Sequence, residues 1–144
     1  MENGQDGFVT QERSIVRDFK DPVTWRFARN LRAKVYAVCN RFPKEETFAL
    51  SSQMRPAAIS VSANIAEGYG CFSYQENIHY CQQSRGSVYE LREHLTSALD
   101  AGYITQSEYA EIDRLAVSVT KLINAYIRST RSTKQKSEAS GERV

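Results

Sequence analysis

The feature that most constrains this chain is a stripe of apolar residues in its last third: Tyr109, Ile112, Ala116, Val119, Ile123 and Tyr126, spaced 3, 4, 3, 4 and 3 residues apart. An α-helix brings such positions onto one face, whereas a strand would need strict alternation. Leu115, Leu122 and Ile127 widen the stripe beyond one seam, as expected of a helix that meets more than one neighbour, so oligomerisation is expected. The rhythm recurs upstream in Ala28, Leu31, Val35, Val38 and Phe42, and again in Leu50, Met54, Ala57, Val61 and Ile65. A third run presents Ile78, Cys81, Ser84, Val88, Leu91, Leu95 and Ala98. No strand pattern competes, and 7 glycines with 3 prolines among 144 residues leave few interruptions. The pattern predicts four long helices.

Local chemistry sets their ends. Asp21-Pro22 reads as N-cap and first helical position, with helix 1 running to about Arg41 and stopped by Pro43. Glu45 and Glu46 fall near the positive end of helix 2. Pro56, inside that helix, removes the bond to Ser52 and predicts a kink between the two. Gly68 is placed as the C-cap of helix 2, while Ser73 to Glu76 and Thr105 to Glu108 read as capping boxes opening helices 3 and 4. Gly102 ends helix 3, and Ser84, Gly86 and Ser87 in its middle suggest a close crossing with helix 2. The expected fold is all-α, an antiparallel up-down-up-down four-helix bundle over residues 18–129 with helices of ~30–40 Å. A mobile arm over 1–17 and a disordered basic tail over 130–144 flank it.

The net charge of +2 is small, but Arg26, Arg29, Arg32, Lys34 and Arg41 crowd helix 1 against Asp21 alone. Trp25, Arg29, Arg32 and Tyr36 fall at helical spacing, and aromatics interleaved with arginines suit base stacking and phosphate neutralisation. The candidate nucleic-acid-binding residues are therefore Trp25, Arg26, Arg29, Arg32, Lys34 and Tyr36. The competing reading packs Trp25 and Tyr36 at a helix boundary while the arginines extend into water. Gln53, Ser60, Asn64 and Glu67 form a polar stripe on helix 2, read as a structural hydrogen-bonding network or as the lining of a pocket.

Catalytic patterns are missing. A di-metal bundle needs Glu-x-x-His pairs, but Glu90 and Glu93 precede His94 by 4 and 1 residues. Cys71, His79 and Cys81 match no zinc spacing, and no phosphate loop or nucleophile arrangement occurs, so neither a metal nor a cofactor is expected. Three cysteines without a secretory segment fit a reducing cytoplasm, and no run approaches the ~20 apolar residues of a membrane helix.

Taken together, Trp25, Phe42-Pro43 with Glu46 and Leu50, Gln53-Met54-Arg55 with Ala57-Ala58, Asn64-Ile65-Ala66-Glu67-Gly68 within Ser60 to Gly70, Gly86-Ser87 with Glu90-Leu91, and Gly102-Tyr103-Ile104 resemble a known family. It is the family of small bacterial four-helix-bundle proteins encoded in intervening sequences of large-subunit ribosomal RNA genes, and the likeness covers roughly residues 19–127. Pro56 departs from its pattern. The resemblance implies a bundle assembled as a homopentameric ring. By analogy with the accessory protein of diversity-generating retroelements, it also points to RNA or a reverse-transcriptase-like partner. The function expected is nonenzymatic binding of RNA or a nucleic-acid-processing partner; the alternative is a protein-binding oligomeric adaptor, contacting partners through helix 1 and the loop Tyr69 to Tyr74.

Overall fold

Each of the four stripes becomes a helix: α1 Val23–Cys39, α2 Leu50–Tyr69, α3 Tyr74–Asp100 and α4 Gln106–Ser140, with a single 3₁₀ turn, Lys44–Glu46, before α2. The structure, a computed structural model, describes residues 18–20 and 22–141. The expected arm and Asp21 lie outside the described residues. Helices α1 and α2 pair through Asn40 with Arg55 and Arg32 with Ser62, and α2 and α3 through Ser60 with Ser87. Arg92 with Asp113, then Arg85 with Asn124 and Asn77 with Tyr126, join α3 to α4. With Ser84 bonded to the Val61 carbonyl as the second α2–α3 contact, one number falls as the other rises in every pair, so sequential helices run in opposite directions.

The apolar stripes meet in one core in which Leu31, Val35, Met54, Val61, Val88, Leu91, Leu95, Val119 and Ile123 are fully buried. Burying a side chain of this size stabilises the fold by about 1.5–3 kcal/mol relative to leaving it exposed. One end of the bundle is tied across its loops. The Tyr103 hydroxyl, between α3 and α4, donates to Glu46 Oε1 at 2.7 Å, while Glu46 Oε2 accepts the Leu50 amide at 3.0 Å and so caps α2. Phe42 packs on Tyr103 with ring centroids 5.3 Å apart. Here α3 ends at Asp100, and Gly102, just past the Ala101 cap, has a φ of +77° that lets the Tyr103 amide reach back to the Ala98 carbonyl at 2.9 Å.

Several local expectations are corrected. Pro22 stands before α1 rather than in its first turn, and the helix ends at Cys39 rather than near Arg41. Pro56 does not interrupt α2, in keeping with a kink rather than a break at that point; Pro56 and Ser52 are both exposed, so the carbonyl released at Ser52 can turn to water. Gly68 is no cap, since α2 continues to Tyr69 and Gly70 follows with a φ of −79°. It is instead a point of close approach: a Cβ there would lie 2.8 Å from Asn77 Oδ1 and 3.0 Å from Tyr80 Cβ on α3. Gly86 is the reverse case, exposed with nothing within 4 Å of an added Cβ, so the close crossing is made by Gly68 and by Ser84, which donates to the Val61 carbonyl at 2.6 Å.

Thr105 and Glu108 form the full capping box of α4, whereas Ser73 accepts the Glu76 amide at 3.1 Å without the reciprocal bond. The nearby Cys71 thiol donates to the Glu67 carbonyl at 3.3 Å. The largest departure is the tail. Residues 130–140 continue α4 as helix, with Thr130 and Ser137 buried, Lys134 paired with Glu138 at 3.4 Å, and Gly141 closing the helix at a φ of +75°.

Candidate nucleic-acid interface

The six helix 1 candidates do not share one surface. Trp25 is 7% exposed and belongs to the core, with Phe19 edge-on at 5.4 Å and the Arg29 guanidinium 5.7 Å from its ring centre. An indole so covered has no face to offer a base. Tyr36 is half-buried beneath Arg55, which lies 5.6 Å from its ring centre and also donates to Asn40 Oδ1 at 2.9 Å. Arg32 turns toward α2 and donates to Ser62 Oγ at 2.9 Å. Lys34 turns the other way and bridges to Glu111 of α4 at 2.6 Å. Only Arg26 and Arg29 are exposed, and neither forms an ion pair among the described residues.

The polar stripe on α2 is brought together in part. Ser60 Oγ lies 2.8 Å from Ser87 Oγ, and Asn64 Nδ2 donates to the Ser60 carbonyl and hydroxyl at 2.8 and 2.9 Å. Gln53 and Glu67 are exposed beyond this cluster. The bonded portion ties α2 to α3, as buried polar groups require.

Two clefts accompany these surfaces. One, of about 180 Å³, lies between α1 and α4 and is rimmed by Lys34, Arg41, Glu108 and Glu111. The other, of about 210 Å³, lies between α3 and α4 beside Tyr89, Arg92, Tyr109 and Asp113. Both are smaller than the roughly 300–1,000 Å³ of ordinary ligand pockets. Apart from Glu93 in the second, their charges are engaged with one another: Lys34 with Glu111, Arg41 with Glu108, and Arg92 Nε with Asp113 at 2.8 Å. The hydrogen bond to Asp113 keeps the Arg92 guanidinium more firmly protonated than usual. Burial pushes the Cys81 thiol up to about 11, which leaves it a neutral core group rather than a nucleophile. Among the described residues no group of three or more His, Cys, Asp or Glu is placed to hold a metal ion, and no helix is long and apolar enough to cross a membrane.

The model of the 23S rRNA-intervening sequence protein family matches residues 20–125, close to three quarters of the chain. The chain belongs to that family. Among solved structures, an S23 ribosomal protein family member of unknown function from Bacteroides thetaiotaomicron is 20% identical, with a TM-score of 0.69. The likeness covers 73% of this chain and 98% of that one, and it shows a shared fold. No curated protein matches this sequence. The family match stops at residue 125, so the continuation of α4 lies beyond it. That continuation holds cations not foreseen as a site, Arg128, Arg131, Lys134 and Lys136, which the boundary drawn at residue 129 had divided between bundle and tail. The available signal was the composition of the whole helix: between Arg114 and Ser140 the only acid is Glu138.

Proposed function

We propose that this family member is a nonenzymatic, self-associating helical bundle that binds RNA. The observation that carries the reading is the contrast between engaged and unengaged cations. Lys34, Arg41 and Arg92 are held by acids across helix boundaries, whereas Arg26, Arg29, Arg128 and Arg131 are exposed and form no ion pair among the described residues. Unpaired surface cations favour phosphate, and phosphate contacts supply most sequence-independent nucleic-acid affinity. A family described by ribosomal RNA and a structural relative assigned to a ribosomal protein family support the same direction.

Self-association, with five copies as the resemblance implies, is supported by apolar side chains left in water: Phe48 is 94% exposed, and Val23, Phe27 and Ile59 are also uncovered. Affinity capture of the tagged full chain, with and without ribonuclease, tests the binding reading, and light scattering tests the assembly. Recovered RNA that is lost on ribonuclease treatment is expected. A protein partner retained after that treatment, with no RNA in the untreated sample, favours the adaptor reading instead. A monomer by light scattering removes the ring.

A further inference from the structure

Helix α4 is divided by charge. Its first turns carry Glu108, Glu111 and Asp113 without a cation, and from Arg114 onward it carries Arg114, Lys121, Arg128, Arg131, Lys134 and Lys136 against Glu138 alone. The two halves are treated differently by the fold. All three early acids are bridged to cations outside α4, Glu108 by Arg41 just past α1, Glu111 by Lys34 of α1 and Asp113 by Arg92 of α3. Of the six cations, Lys134 alone forms an ion pair among the described residues, with Glu138.

The geometry places three of these cations beside α3. Asn124 marks the α3 side of α4, because its Oδ1 accepts from Arg85 Nη1 at 2.7 Å. Lys121 and Arg128 stand three residues before and four after Asn124, and Arg131 stands seven after it, all on the same side of the helix and all exposed. Farther along, Lys134 donates to Gln75 of α3 at 3.4 Å. Lys121 to Lys134 thus forms a basic stripe ~20 Å long at 1.5 Å per residue, edged by amide side chains.

Complementing the helix dipole does not explain this stripe. That effect is confined to the last turn, and α4 ends at Ser140, well beyond Lys121, Arg128 and Arg131. The stripe also faces α3, whereas Arg26 and Arg29 belong to α1 in a different part of the bundle.

We propose that the α3–α4 face bearing Lys121, Arg128 and Arg131, with Arg85 at its edge, is the surface that holds the RNA phosphate backbone. The proposal rests on the RNA-binding reading and assigns it to a place that straddles the end of the family match, with Arg85 and Lys121 inside it and Arg128 and Arg131 beyond it. Contacts of this kind act through charge, so binding is insensitive to base sequence and falls with salt.

The test is fluorescence anisotropy of the full chain with a labelled RNA duplex of ~20 base pairs, with salt raised from ~50 to ~200 mM. The triple variant Lys121→Gln, Arg128→Gln, Arg131→Gln is expected to bind at least about tenfold more weakly. Its log K against log salt slope is expected to shrink by about 2–3, at ~0.9 per lost contact. The charge-preserving variant Lys121→Arg, Arg128→Lys, Arg131→Lys should bind within about twofold of the parent, which separates charge from any disturbance of folding. Wild-type binding left unchanged by the triple substitution overturns the assignment of this face while the RNA reading stands. Failure of the wild-type chain to bind the duplex at the lowest salt overturns both.

Discussion

Glu46 shows how one side chain can fasten three parts of the fold. It caps the first amide of α2, receives the Tyr103 hydroxyl from the α3–α4 turn, and sits in the turn that leaves α1. The Leu50 amide, then the Tyr103 hydroxyl, hold its carboxyl below the usual carboxylate range, and the same bond raises the Tyr103 phenol above its ordinary value. A depressed folded value means that the stabilisation is full above the unfolded value of 4.5 and is lost as pH falls through the folded one. Urea midpoints measured from pH 7 down to about pH 3 should therefore decline more steeply for the parent chain than for Glu46→Gln, which keeps the shape without the titration. Equal declines would mean that Glu46 is not coupled to folding. The acid near the start of helix 2 was legible in the sequence; its hydrogen bond from Tyr103 was not, because only the closed bundle brings the two loops to one end.

At the scale of elements, the two small-residue positions of the α2–α3 pair have opposite roles. Gly68→Ala should destabilise the chain by about 1–3 kcal/mol, since the new methyl meets Asn77 and the Tyr80 Cβ on a packed helix. Gly86→Ala should stabilise it by up to about 1 kcal/mol, because the site is open and alanine is the better helix former. Denaturant unfolding of both variants checks the signs, and a Gly86→Ala chain that loses assembly would place that glycine against another copy. Sequence reasoning could not separate these sites, since a capping glycine and a close-approach glycine present the same letter. It also stopped α4 too early. Residues 130–140 lack apolar periodicity, but Thr130 and Thr133 bond back to the Tyr126 and Ser129 carbonyls, and Lys134 meets Glu138 one turn on. The buried positions of this stretch, Thr130 and Ser137, are hydroxyl residues seven apart, so its packed face leaves no apolar trace in the sequence.

For the whole molecule, the stripes and end signals were enough to give four helices in their right order, because buried faces leave a periodic trace. The site was less legible. Arginines and aromatics on helix 1 looked like one surface in sequence, yet Trp25 went into the core, Arg32 toward α2 and Lys34 toward α4. Which cations remain unengaged depends on acids supplied by other helices, and this is a property of the assembled bundle. Binding of RNA by those remaining cations is tested most directly by the salt dependence of RNA affinity for the unmodified full chain. Log K should fall linearly with log salt with a slope of about −2 or steeper, as for several phosphate contacts. A flat dependence, or no binding at ~50 mM salt, would contradict it.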